Sequence, residues 1–164
     1  MLNPINNIIL LFLAFCPLAY SADSYTIAKE YYVKTEYKNA VEALQHLEDV
    51  SAIITQENID AYLLLARSHY RLDEYTVTIK LIERLDVIGY FEINSRKKII
   101  RYLSDAYYEL GDFQEAIELK TQLVQLIEEH YDENNNDSYR KIQALGRIAE
   151  SYSILGQYLS LIHI

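Results

Sequence analysis

The chain is poor in the residues that break helices and in those that cross-link folds. It holds only 2 Pro and 4 Gly among 164 residues, and both prolines, Pro4 and Pro17, stand near the amino end. Everything after Pro17 is free of the strongest helix breaker, which excludes a compact sheet protein with many turns. The single cysteine, Cys16, lies in the apolar leader, so an intrachain disulfide is excluded. A stack of helices does not need one, because packing holds it together. Four glycines are too few for a Gly-rich phosphate loop, and the chain contains none. No segment after the leader is apolar enough to cross a bilayer, which needs about 20 residues.

Basic residues are the minority. The chain has 15 Lys and Arg against 24 Asp and Glu, a formal net charge of -9, and none of these charges falls within residues 1–21. A surface this acidic repels phosphate backbones, so general nucleic-acid binding is excluded. No basic stripe follows one helix, which speaks against an anionic membrane surface. With 51% hydrophobic and 24% charged residues, the composition is that of a folded chain. It points to long helices.

The residues that carry chemistry are also scarce or scattered. His46, His69, His130 and His163 show no metal-ligand spacing, and no His-Glu-x-x-His or Cys-x-x-Cys pair occurs. His69 is expected in the core, at a helix crossing. The acidic run from Asp132 to Asp137 lacks the spacing and the Gly of a calcium loop and is expected to be a solvated connection. No serine has a nucleophile-elbow context. No catalytic, metal or cofactor site is expected.

At the front, Ile8–Cys16 is a run of nine apolar residues, followed by Pro17 and then Ala19-Tyr20-Ser21. This reads as a signal peptide over residues 1–21 with cleavage after Ser21, and hence as an exported protein, periplasmic or extracellular. A buried first helix, a short anchor and a lipid-bearing Cys16 are the alternatives. Phe15 is large for the last of these.

The remainder is repetitive. Three segments share one full pattern: Ile27-Ala28-x-x-Tyr31-Tyr32 with Tyr37-x-x-Ala40-Val41, Leu65-Ala66-x-x-His69-Tyr70 with Tyr75-x-x-Thr78-Ile79, and Leu103-Ser104-x-x-Tyr107-Tyr108 with Phe113-x-x-Ala116-Ile117. A fourth, Ile148-Ala149-x-x-Tyr152 with Tyr158-x-x-Leu161-Ile162, matches in part. Small residues stand where two helices cross closely, and large rings fill the space beside them. Gly111 and Gly156 fall where a left-handed turn would join two helices. Thr35 and Asp73 take that place in the first two units, so weaker or differently shaped turns are expected there. These four positions lie 38, 38 and 45 residues apart. The spacing predicts helix pairs at 23–34 with 37–50, 58–71 with 74–88, 93–109 with 112–131, and 138–154 with 157 onward. In the sixth helix Phe113, Ala116, Ile117, Leu123, Val124 and Ile127 form the inward stripe.

The pattern resembles the tetratricopeptide repeat (TPR), whose unit is about 34 residues long. The resemblance implies an all-α, TPR-like α-solenoid of antiparallel helical hairpins over residues 22–164. In that family the first helix of each pair lines a concave groove. Carried over, this implies Tyr25, Lys29 and Tyr32 from the first unit, and Leu63, Arg67, Tyr70 and Arg71 from the second. It implies Lys98, Arg101, Asp105 and Tyr108 from the third, and Gln143, Glu150 and Ser153 from the fourth. Lys29, Arg67, Arg71, Lys98 and Arg101 would make the groove locally basic and suited to a protein or extended peptide of acidic character. Asp105 stands where family members that grip a chain-end carboxylate carry Asn, so that partner class is not implied. A non-catalytic binding scaffold outside the cytoplasm is expected. The sensory region of a larger membrane-linked signalling protein and an envelope-assembly lipoprotein are the alternatives. The tail Leu159–Ile164 resembles translated adaptor sequence, and a longer natural chain is expected.

Overall fold

The computed structural model describes residues 22–49, 54–55, 58–86 and 92–162. The leader expected at residues 1–21 lies outside them, as do the side chains of the carboxy-terminal tail. The described residues form helices α1 (Ala22–Val33), α2 (Tyr37–Leu44, prolonged by a 3-10 turn, Gln45–Leu47), α3 (Ile59–Arg71), α4 (Tyr75–Asp86), α5 (Ile93–Leu110), α6 (Phe113–Glu129) and α7 (Asp137–Ile162). They contain no strand. Helices α1 and α2, α3 and α4, and α5 and α6 pack as antiparallel hairpins, and each hairpin packs on the next. Helix α3 also touches both α1 and α5, so the first helices of the three pairs form one layer. This is the α-solenoid that the repeat implies. Contacts between successive hairpins within this layer keep the repeat period: Lys98 reaches Asp60, 38 residues back, and Arg71 reaches the hydroxyl of Tyr32, 39 residues back.

The small residues of the pattern lie at the crossings. Ala28, Ala66 and Ser104 on the first helices, and Ala40, Thr78 and Ala116 on the second, are all 0% exposed. A methyl-sized side chain there lets the backbones approach, and the Thr78 hydroxyl donates to the Ala66 carbonyl across that gap at 3.2 Å. Around them Leu44, Leu65, Ile82, Leu85, Leu123 and Ile127 are fully buried. Each such side chain contributes roughly 1.5–3 kcal/mol. Arg84 closes the end of the first hairpin. Its guanidinium donates to the carbonyls of Leu47, Glu48 and Asp49, the orphan acceptors left by the 3-10 turn.

The three hairpin turns are alike in shape, which corrects the expectation of differently shaped turns at Thr35 and Asp73. Both adopt the left-handed backbone, at φ 62° and 61°, as Gly111 does at 86°. In each turn the left-handed N–H donates three residues back (Thr35 to Tyr32, Asp73 to Tyr70, Gly111 to Tyr108). The next N–H reaches five back (Glu36 to Tyr31, Glu74 to His69, Asp112 to Tyr107). This paired bonding satisfies the last helical carbonyls. A ring pair then spans each turn: Tyr32 with Tyr37, Tyr70 with Tyr75 and Tyr108 with Phe113, at centroid distances of 5.2, 5.4 and 5.4 Å. Tilted pairs of this kind add about 0.5–1.5 kcal/mol beyond the area buried.

The fourth hairpin does not form as expected. Helix α7 runs unbroken through Gly156 to Ile162. Ala149, the small residue of that unit, is exposed, and Tyr152 is 59% exposed. Gly inside a helix costs about 1 kcal/mol relative to Ala, a modest penalty. Turning the chain back there would set Leu161 at the close crossing, where the other units have a small residue. The straight helix avoids that clash. Its packing face carries Asp137, Ala144 and Ser151, all buried, and docks on α6.

The longer connection before α7 is pinned by a buried charge. Lys97 and Asp137 are 1% and 0% exposed, with Nζ 2.6 Å from Oδ2. The same ammonium donates to the His130 carbonyl, and the Asp132 N–H donates to Asp137 Oδ2 at 3.0 Å. Asp132 in turn accepts from the backbone of Asn134 and the amide of Asn135, so the acidic run is a self-capped loop.

Three substitutions test this account in urea unfolding. Ala66→Leu overpacks a crossing and should lower stability by about 1–3 kcal/mol. Thr35→Gly removes the left-handed penalty of a β-branched residue and should raise stability by about 0.5–1 kcal/mol. Lys97→Met leaves buried Asp137 with only the more distant Arg140, at 3.6 Å, and should lower stability by at most about 3–5 kcal/mol, with less loss when Asp137→Asn is added.

Candidate partner-binding groove

Three clefts run into one another along the layer formed by α1, α3 and α5 and onward to α7. The first, about 290 Å³, lies between α1, α3 and α5 and is lined by Tyr25, Lys29, Tyr32, Leu63, Arg67, Lys98 and Tyr102 among others. The second, about 300 Å³, shares Tyr32, Arg67 and Tyr102 with it and adds Tyr70, Arg71, Arg101, Asp105 and Gln143. The third, about 350 Å³, shares Tyr70, Arg101, Asp105 and Gln143 and extends to Lys120, Arg140, Arg147 and Glu150. Eight of the nine principal groove residues expected from the sequence thus line one continuous surface (Lys29, Tyr32, Arg67, Tyr70, Arg71, Lys98, Arg101 and Asp105). The ninth, Tyr108, sits beneath the guanidinium of Arg147, 4.2 Å from its ring centre. Leu63 is buried in the floor, and Ser153 lines none of the three clefts.

The helices place these side chains by their period. Arg67, Tyr70 and Arg71 fall at three- and four-residue steps on α3, as Lys98, Arg101, Asp105 and Tyr108 do on α5. The charges they bring are compensated unevenly. Lys98 pairs with Asp60 at 3.3 Å, and Lys120 with Asp105 at 2.5 Å. Arg147 pairs with Glu150 at 3.1 Å and lies 3.9 Å from Glu109. Arg67, Arg71 and Arg101 make no ion pair with a carboxylate among the described residues. Tyrosines hold them instead. The Arg67 guanidinium lies between two rings, 4.6 Å from the centre of Tyr32 and 5.3 Å from that of Tyr102. Arg101 lies 4.6 Å from the centre of Tyr102 and donates to its hydroxyl at 2.7 Å. Arg71 donates to the Tyr32 hydroxyl at 3.4 Å.

Three of the groove tyrosines are held further from ionisation than a free phenol. Burial, then the neighbouring Asp105 and Glu109, pushes the Tyr70 phenol well above its ordinary range. Burial likewise raises Tyr25, with Asp60 adding to it, and Tyr108, with Glu150 adding to it. The groove therefore offers phenol rings as flat cation supports and hydroxyls as hydrogen-bonding groups.

Among the residues of this surface that the sequence did not imply are Tyr102, Lys120, Arg140 and Arg147. Arg147 carried a signal, since it follows Gln143 by one helical turn. Lys120 carried another. Counting back one and two repeats from it gives Ile82 and Leu44, both core residues, so a charge at that place breaks the pattern. Its ammonium reaches Ser104 Oγ and the Asp105 carboxylate from inside the floor.

His69 is buried, as expected. Its ring nitrogens face Glu74 at 2.5 Å and Glu48 at 3.1 Å, which ties α3 to its own turn and to the end of the first hairpin. Among the described residues no three His, Cys, Asp or Glu side chains gather as a metal site would require. No described helix is long and apolar enough to cross a membrane.

No family profile matches the chain, and no curated protein matches it. In structure it is similar to the crystal structure of a point variant of a Podosopora anserina protein assigned as a kinesin light chain, which is built of nearly identical TPR-like repeats. The TM-score is 0.65 at 20% identity, over 85% of this chain and 68% of that one. At that identity the likeness speaks for architecture, and together with the repeated hairpin packing it gives this chain a TPR-like α-solenoid fold.

Proposed function

We propose that the chain is a non-catalytic scaffold that holds a protein segment, an extended acidic peptide, in the groove over α1, α3 and α5. The observation that carries this reading is the trio Arg67, Arg71 and Arg101, stacked on or bonded to tyrosines and without carboxylate partners among the described residues, in a chain of net charge -9. A protein with that many acidic residues had carboxylates to spare for three surface arginines. Leaving the three unpaired keeps them available to an anionic ligand. Their stacking on rigid rings fixes the guanidinium planes before binding, which lowers the ordering cost. The surface is long and shallow, as an extended chain requires. The apolar run at residues 8–16 supports a place outside the cytoplasm.

The test uses extended peptides of equal length that differ only in charge, read by fluorescence anisotropy. Acidic peptides should bind and basic ones should not, and affinity should fall as salt rises. The double variant Arg67→Glu, Arg101→Glu should weaken acidic-peptide binding by about thirtyfold or more, with far-UV circular dichroism unchanged. Equal binding of basic peptides, or an unaffected double variant, would rule the groove out.

A further inference from the structure

The exposed apolar side chains are not spread evenly. Tyr131, Tyr139, Ile142, Leu145 and Tyr152 account for five of the nine large hydrophobics that stand in solvent among the described residues, and four of those five are on α7. Together with the exposed Ala149 they recur at steps of three, three, four and three residues, 139, 142, 145, 149 and 152. That spacing makes one stripe along the side opposite Asp137, Ala144 and Ser151. Ala149 and Tyr152 hold the places that Ala28 and Tyr31, Ala66 and His69, and Ser104 and Tyr107 hold in the other units. There, the small residue is covered by the second helix of its hairpin. Helix α7 presents the same crossing surface, and no described residue covers it.

The stripe is complementary to itself. Measured from the midpoint between Leu145 and Gly146, Ile142 and Ala149 are equally distant, as are Tyr139 and Tyr152, Ser138 and Ser153, and Lys141 and Glu150. Two α7 helices laid antiparallel about that midpoint put Ile142 of each copy on Ala149 of the other, large against small. The small pair Gly146 and Ala149 allows a close approach. Lys141, at one edge of the stripe and paired with Glu128 of its own chain at 2.6 Å, comes beside Tyr152 of the second copy, a cation near a ring. Tyr139, at the other edge, accepts from Gln143 of its own chain and comes beside Glu150 of the second copy, with its hydroxyl hydrogen left for that carboxylate. A parallel pairing would instead set Ile142 on Ile142 and Lys141 near Lys141. The antiparallel arrangement also brings no like charges together, which matters between two acidic chains. It leaves Gln143 and Arg147 facing the groove on each copy.

We propose that a second copy of this chain covers this face, through a two-fold antiparallel pairing of α7 with α7 centred between Leu145 and Gly146. The stripe is about 20 Å long at 1.5 Å per residue, which places the contact at the small end of specific interfaces. The dimer is therefore weak and concentration-dependent.

Sedimentation equilibrium on the full chain should show the weight-average mass rising towards twofold between about 1 and 200 µM. Ile142 is 68% exposed, so Ile142→Glu should hold the chain at monomer mass with unchanged circular dichroism. The register has its own readout. In a Cys16→Ser background, a short bismaleimide should join Ser138→Cys chains to Ser153→Cys chains when the two are mixed. Neither alone should self-join, because each residue would stand about 22 Å from its own counterpart. A monomer throughout that range would mean that this face serves some other occupant and would overturn the proposal. So would a dimer that persists in Ile142→Glu, or efficient self-joining of Ser138→Cys alone.

Discussion

Where two helices of a hairpin cross, their backbones approach closely enough that only a methyl group or a small hydroxyl fits between them, and the rest of this structure follows from that contact. Ala28 with Ala40, Ala66 with Thr78, and Ser104 with Ala116 are completely shielded from water. A close crossing leaves gaps on either side, and rings and branched side chains fill them. It also fixes the turn, because a helix that must return at that distance has room for a single left-handed residue. Thr35 and Asp73 accept that conformation although glycine would adopt it more easily. The tertiary contact prevails over the local preference, and the three turns come out the same.

The fixed crossing gives the groove its geometry. Because the hairpins stack at a constant step, residues about 38 positions apart become neighbours on the inner layer, as the contacts of Lys98 with Asp60 and Arg71 with Tyr32 show. Tyr32, Tyr70 and Tyr108 hold equivalent places, each closing its own turn by a ring contact while bordering the inner surface. Tyr32 and Tyr108 thus serve the fold on one side and support an arginine on the other, Arg67 and Arg147 respectively. Charge varies from unit to unit on this constant frame. Lys29, Arg67 and Asp105 occupy one repeated place, and there the carboxylate is matched by Lys120 beneath it.

Two lysines show how far the third unit has diverged within the same frame. Lys97 and Lys120 stand where the second unit has Ile59 and Ile82. Burying an ammonium is costly unless it is paired and hydrogen-bonded, and both are. Lys97 is satisfied by Asp137 and a carbonyl, and it anchors the longer connection into α7. Lys120 is satisfied by Ser104 and Asp105. The consequence is a unit that joins its neighbour by a specific polar clasp as well as by packing.

The sequence by itself determined three of the four expected hairpins, their crossing residues and most of the residues lining the clefts, because each rests on spacing, and spacing is fully written in the chain. Small and aromatic residues at constant offsets leave one arrangement that buries them, and a helical period puts Arg67, Tyr70 and Arg71 on one side. Only the tertiary structure decided what depends on a partner distant in sequence. It paired Lys97 with Asp137, 40 residues on, and stacked Arg67 between the rings of Tyr32 and Tyr102. It gave Thr35 and Asp73 the backbone of Gly111. It also carried α7 straight through Gly156. Glycine permits a turn but does not require one, and a return at Gly156 would bring Leu161 to the close crossing where the other units have a small residue.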